Sequence, residues 1–150
     1  MFRRATAAFL IAIGATGGCT APSAPSYFTA EFILIDVDGL GLPVTGPDVH
    51  GMPGSRLIAG SMSLDEAGTG YIFEERVDAQ NNHFSVATPY LYGVSGPKIK
   101  FDYAIPCPYG VVCPEPPSGE IINEGLQVRV TFPPTSNFKV YTFRTVPRTL

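Results

Sequence analysis

Residues 56–77, RLIAGSMSLDEAGTGYIFEERV, contain two alternating runs on either side of a glycine-bearing turn. In the first run, one face would carry Ile58, Gly60, Met62 and Leu64, and the other Leu57, Ala59, Ser61 and Ser63. In the second run, Tyr71, Phe73 and Glu75 alternate with Ile72, Glu74 and Arg76. A period of two on both sides of a short turn predicts a β-hairpin.

The rest of the chain continues this pattern of short β-rich runs between turn residues. The 16 glycines and 15 prolines suit many turns, and no helical period follows the first 18 residues. Eight strands are predicted, at residues 27–37, 56–64, 69–77, 83–94, 98–105, 119–122, 126–132 and 138–146. The strand at 83–94 is expected to be broken into 83–87 and 89–94, with Pro89 marking a bulge or an edge. The run from Phe32 to Ile35 is expected to be buried on both faces.

Short antiparallel strands at this spacing predict an all-β fold, an eight-stranded antiparallel up-and-down meander. Closing such a meander into a barrel removes the two unpaired edges that an open sheet would expose. An eight-stranded barrel has an interior that side chains fill or that holds one small ligand. The length of 150 residues suits a single domain.

Residues 1–18 have the features of a signal peptide and are kept out of the fold. Arg3 and Arg4 give a positive start, residues 5–13 form a short apolar run, and small residues follow. The segment TGGC at 16–19 resembles the lipobox of bacterial lipoproteins, which implies that Cys19 becomes the lipid-modified first residue. The alternative is an ordinary signal peptide cleaved nearby, which would leave a secreted or periplasmic protein.

The lipoprotein interpretation divides the remaining chain into a linker at 19–26, rich in proline and serine, and a folded domain at 27–150. Acyl chains on Cys19 would attach the protein to a membrane without any apolar protein surface. Thr20, rather than an aspartate, follows the cysteine. By the same resemblance this implies the outer membrane of the cell envelope.

Cys107 and Cys113 lie in a proline-rich loop, CPYGVVC. With Cys19 assigned to lipid, an even pair remains, and an oxidising envelope favours a disulfide between them. The alternatives are a metal site or a redox pair. They are disfavoured because CxxC spacing is absent and no histidine is near in sequence.

Four segments, VDGLGLP, GSMSLDEAGTG, YGVSGPKIKF and SGEIINEGLQV, resemble in this order the small lipocalin-like domains of uncharacterised bacterial lipoproteins. The positions that carry the resemblance are Val37, Gly39, Leu42, Pro43, Gly60, Met62, Leu64, Gly68, Thr69, Tyr92, Gly96, Ile99, Phe101, Gly119 and Leu126. They span nearly the whole chain after the linker. The resemblance implies a lipocalin-like barrel and brings no catalytic residue with it.

The sequence shows no catalytic or metal-binding constellation, so we expect a non-enzymatic protein without a cofactor. His50 and His83 lack zinc-binding spacing, and the acidic stretch at 36–39 lacks the later ligands of a calcium loop. Glu74 and Glu75 point to opposite faces of one strand and therefore do not form a catalytic pair. The formal net charge of −3 without a basic run argues against nucleic acid as a partner.

The candidate binding residues are aromatic side chains of the second half of the domain, namely Tyr90, Tyr92, Phe101, Tyr103 and Tyr109. Aromatic rings with polar tips suit a ligand mouth or a protein interface, although barrel cores also use them. The sequence thus predicts a lipid-anchored envelope protein that binds a small apolar ligand or an envelope component. The alternative hypothesis is a protein-interaction or enzyme-inhibitor module that acts through the stapled loop 106–117.

Overall fold

The computed structural model describes residues 26–45, 54–106, 108–110, 114–134 and 140–146. Their elements, in chain order, are β1 (Ala30–Val37), β2 (Leu40–Gly41), β3 (Val44–Thr45), β4 (Arg56–Leu64), β5 (Thr69–Val77), β6 (His83–Ser95), β7 (Lys98–Tyr103), β8 (Ser118–Ile122), a 3₁₀ helix (Asn123–Gly125), β9 (Gln127–Thr131) and β10 (Val140–Thr145). The predicted all-β fold is confirmed. The predicted signal peptide, Cys19, and the Cys107–Cys113 pair lie outside the described residues.

Eight of these strands form a closed antiparallel barrel. Neighbours along the chain from β4 to β10 pair with one another, and β1 pairs with both β10 and β4. Phe32 therefore faces Thr145 on one side and Met62 on the other. The two-residue strand β2 pairs with β1, and the two-residue strand β3 pairs with β4. Closure leaves none of the eight strands as an unpaired edge, which confirms the predicted meander and barrel.

Pro89 does not interrupt β6, contrary to expectation. The strand runs unbroken through 13 residues, and Pro89 lies opposite Tyr71. The Pro89 carbonyl accepts a hydrogen bond from the Ala104 amide, at 3.4 Å, so the hydrogen-bonding side of Pro89 faces the β7 side. Proline has no N–H to donate toward β7. Because β7 ends at Tyr103, no hydrogen bond of the β6–β7 ladder is lost at Pro89.

A bulge at the start of β4 changes which face of the hairpin is buried. Leu57 lies opposite Arg76 and Ala59 opposite Glu75, which leaves Ile58 as an extra residue. An extra residue shifts the alternation by one position. Leu57 is therefore buried together with Met62 and Leu64, although a strict period of two assigns it to the other face.

The outer face of the barrel carries several exposed apolar side chains. Tyr71 and Phe73 point outward and are 49% and 39% exposed, whereas Ile72 between them is buried. Ile33 is also 39% exposed, so the expectation that the middle of β1 is buried on both faces is wrong. In the described part of the chain the sheet is a single closed layer, and its outside has no second layer to cover it.

Side chains fill the described interior of the barrel as one apolar cluster. The packing is close even where the chain has glycine. A Cβ atom would lie 2.8 Å from Leu34 at Gly60, and 2.7 Å from Leu64 at Gly70. Neither position has space for a methyl group without displacement of its neighbour. Dense packing at this level is typical of a protein core rather than of a ligand cavity.

The two ends of the barrel differ. The turn end carries Ser26, the β4–β5 turn (65–68), the β6–β7 turn (96–97) and the 3₁₀ helix. At the opposite end, called the loop end, β1, β5, β7 and β9 finish and β4, β6, β8 and β10 begin. The described parts of the β7–β8 connection, 104–106, 108–110 and 114–117, therefore belong to the end opposite the point where the described chain begins.

Candidate functional site

Three of the predicted binding residues form one aromatic cluster in the wall of the barrel. The ring of Tyr90 lies 5.5 Å from that of Phe101 and 5.6 Å from that of Tyr103. Tyr90 and Phe101 are buried, and Tyr103 is half-buried. These rings come together because β6 and β7 pair in register, Tyr90 opposite Tyr103. Their positions are those of core residues, which agrees with the alternative that barrel aromatics serve packing rather than ligand binding.

Tyr92 holds the first described residues against the turn end. Its hydroxyl accepts a hydrogen bond from the Phe28 amide, at 2.9 Å. Its single proton lies between the carbonyls of Phe28, at 2.6 Å, and Asp65, at 2.8 Å. The Tyr27 ring packs edge-on against Tyr92 and over Gly68, where a Cβ would lie 2.7 Å from the Tyr27 ring. Tyr92 therefore joins the first described segment to a hairpin turn.

Tyr109 lies apart from the other four predicted residues. It belongs to the loop between β7 and β8 and is fully exposed. Ile105, at the start of the same loop, is also exposed. The loop end thus presents an aromatic and an aliphatic side chain to solvent, as an interaction surface would.

A groove with a volume of about 810 Å³ is lined by residues of β6, β7 and β8 together with Tyr27. Leu91 contributes exposed apolar surface and Lys98 and Lys100 contribute charge, whereas the side chains of Tyr92 and Phe101 are almost wholly buried. The groove forms where β7 and β8 pair over only three residues on each strand. Two of the predicted aromatic residues, Tyr92 and Phe101, line it.

A polar network that was not predicted from the sequence lies inside the barrel near the loop end. Arg76 is 0% exposed, and its Nε donates to the Glu74 carboxylate at 2.8 Å. The Tyr141 hydroxyl donates to the other oxygen of Glu74, and Arg76 donates to the Ser55 hydroxyl at 3.4 Å. The available signal was that Glu74 and Arg76 share the alternation of Ile72, which places both charges on the inner face.

Three aspartate carboxylates accept hydrogen bonds that fix turns and strand ends. The Asp36 carboxylate accepts from the Gly39 amide at 2.9 Å, and the Asp38 carboxylate from the Val140 amide at 2.7 Å. Asp65 accepts from the hydroxyl and the amide of Thr69, and these bonds lower the pKa of Asp65 below its ordinary value. Among the described residues, no three histidine, cysteine, aspartate or glutamate side chains are grouped to hold a metal ion.

Glu75 and His83 lie on the outer face of the barrel. The His83 Nδ1 is 3.7 Å from the Glu75 carboxylate, and both side chains are exposed. Glu74 and Glu75 indeed point to opposite faces of β5, one into the barrel and one out of it. A paired-carboxylate site is therefore not formed by these two residues.

Comparison of the chain with protein families, with curated proteins and with solved structures finds no match. Within the described ranges, no helix has the length and apolar character to cross a membrane.

Removal of the buried cation should destabilise the barrel strongly. Arg76→Met is expected to lower the free energy of unfolding by about 3–5 kcal/mol, because Glu74 is left in the interior without its partner. Urea denaturation followed by circular dichroism measures the change. Arg144→Met, on the exposed outer face of β10, is the matched control and should change stability by less than about 0.5 kcal/mol. If both substitutions lowered the free energy of unfolding equally, the Glu74–Arg76 network would not be a specific source of stability.

Two buried tyrosines should make the protein sensitive to alkali. Burial, followed by the nearby negative charge of Glu74, raises the pKa of Tyr141; burial also raises that of Tyr90. Above about pH 10 the unfolded chain releases these protons and the folded chain keeps them. The free energy of unfolding should therefore fall by about 1.4 kcal/mol for each tyrosine and each pH unit above this pH.

Urea denaturation between pH 8 and pH 11.5, values chosen to bracket the ordinary tyrosine pKa of about 10, tests this dependence. Tyr90→Phe keeps the ring and should remove one tyrosine's share of the alkaline slope. Tyr71→Phe, at an exposed position of the outer face, should leave the slope as it is in the unaltered protein. A slope insensitive to Tyr90→Phe would refute the assignment.

Proposed function

We propose that the protein is a non-enzymatic, lipid-anchored protein of the cell envelope that binds another envelope component through its loop end. The single observation that carries this proposal is the filled interior of the barrel. Seventeen buried side chains form one cluster there, and even interior glycines have no space for a methyl group. A ligand or partner then has the outer surface available to it, rather than the lumen.

The loop end is the favoured recognition surface. Ile105 and Tyr109 are exposed on one connection, and Leu40 is exposed on another. Loops on a rigid barrel are common positions for binding residues. The disulfide expected between Cys107 and Cys113 would restrict the loop 106–117 and reduce the entropy lost on binding. An enzyme-inhibitor role is one form of this interaction.

A small apolar ligand is the second candidate, and the groove beside β7 favours it. The groove is of the size that small-molecule sites have, and it combines the exposed side chains of Tyr27 and Leu91 with two lysines. The ligand would bind on the outside of the barrel rather than within it. The membrane association, the outer-membrane location and the disulfide all remain parts of the proposal that the lipobox-like segment and the cysteine spacing support.

Cys19→Ala should release the protein from the membrane fraction, because acyl chains on Cys19 are the proposed attachment. Cells that express the full chain are fractionated, and the protein is followed in the membrane and soluble fractions. Cys113→Ala, which leaves the proposed lipidation site intact, is the control and should stay with membranes. Retention of the Cys19→Ala protein in the membrane fraction would contradict the anchor.

Tyr109→Ser should weaken capture of an envelope partner, because it removes the most exposed aromatic side chain of the loop end. The measurement is chemical crosslinking in intact cells, followed by purification of the protein and comparison of its crosslinked products. Tyr71→Ser removes an exposed tyrosine from the outer face and is the matched control. Identical crosslinked products from both variants and the unaltered protein would exclude the loop end as the recognition surface.

A further inference from the structure

We propose that the turn end of the barrel docks on the surface of the lipid bilayer that holds Cys19. The docking surface is defined by Tyr27, Leu126 and Val146, and its partner is the uncharged, interfacial region of the lipids. This inference depends on the lipid anchor proposed above. It adds an orientation, with the loop end held away from the membrane.

The direction of the chain at Ser26 supports this orientation. Ser26 pairs with Val94 in antiparallel fashion, with hydrogen bonds of 3.0 and 3.1 Å. Because β6 runs toward the turn end, the chain that pairs with it runs inward from that end. The described chain therefore enters the fold at the turn end.

The length of the connection supports the same orientation. Ser26 lies seven residues after Cys19, and a fully extended chain of that length spans at most about 25 Å. Strand β6 alone has 13 residues and is about 43 Å long. The connection from Cys19 to Ser26 is therefore shorter than β6, which runs from the loop end to the turn end. It cannot reach along the full length of the barrel to the loop end. An acylated Cys19 keeps the turn end close to the bilayer.

The chemistry of the turn end also supports the docking. Tyr27 is 48% exposed, Leu126 61% and Val146 41%. The Leu126 carbonyl accepts from the Thr145 amide at 3.0 Å, which places Leu126 beside the end of β10 and Val146. Tyrosine is suited to a membrane interface because its ring is apolar and its hydroxyl remains in water.

Charge does not provide the attraction. The rim of the turn end carries Glu66 and Glu124 as well as Lys98, and all three are exposed. A bilayer of anionic lipids would attract the lysine and repel the two glutamates. Docking should therefore depend on apolar contact and be nearly independent of salt and of anionic lipid.

The chain contains no tryptophan, so a single introduced indole is a specific probe. Leu126→Trp places the probe at the turn end, and Leu40→Trp places it at an equally exposed position of the loop end. Each full-length lipoprotein is purified with its native acyl chains and reconstituted into phosphatidylcholine vesicles that contain bromine-labelled acyl chains. Bromine quenches an indole only at short range.

We expect loss of most of the fluorescence at position 126 and no loss at position 40. Val146→Asp in the Leu126→Trp protein should restore the fluorescence, whereas Ile105→Asp, the matched change at the loop end, should not. Added salt or phosphatidylglycerol should leave the quenching unchanged. Equal quenching at the two positions, or none at position 126, overturns the docking.

The proposed anchor fails in a distinguishable way. If the Cys19→Ala protein remains in the membrane fraction, or the purified protein carries no acyl chain, both the anchor and the docking are wrong. If the protein is acylated and floats with the vesicles but position 126 is not quenched, only the docking is wrong and the anchor stands.

Discussion

The pairing of β1 with β4 is the contact on which the rest of the structure depends. It joins the first barrel strand to the second, while the other edge of β1 pairs with β10, the last strand of the chain. With this pairing every one of the eight strands has two neighbours, and the sheet acquires an inside and an outside. Burial, packing and exposure throughout the domain follow from that division, because successive residues alternate between the two sides.

The filled interior limits what the barrel can do. Leu34 and Leu64 pack against Gly60 and Gly70, so the lumen narrows where the backbone of one strand meets the side chains of its neighbours. Within the described ranges, the charged side chains inside the barrel are Glu74 and Arg76, which pair with each other, and Glu74 also accepts from Tyr141. A buried pair of this kind is expensive to desolvate but more expensive to break. Through the Glu74–Tyr141 hydrogen bond it connects β5 to β10 across the barrel near the loop end.

The first described residues connect the fold to the proposed anchor. Ser26 pairs with β6, Phe28 packs against the core, and Ala30 begins β1, so this segment crosses the turn end. The Tyr92 hydroxyl holds it through the backbone of Phe28. A residue that the sequence suggested for ligand binding is thus engaged in fixing the chain at the end that would face a membrane. The loops opposite are left to make contacts elsewhere.

The sequence by itself determined the strands, the turns and the meander, because alternation and turn chemistry act over a few residues. The hairpin at Arg56–Val77 is an example, with the Asp65 carboxylate and Gly68 forming its turn locally. Only the tertiary structure decided which face is inside. The bulge at Ile58 moved Leu57 into the core, and closure turned Phe73 outward and Arg76 inward. These outcomes depend on pairing between distant strands. A period of two in the sequence separates two faces but does not say which of them is buried.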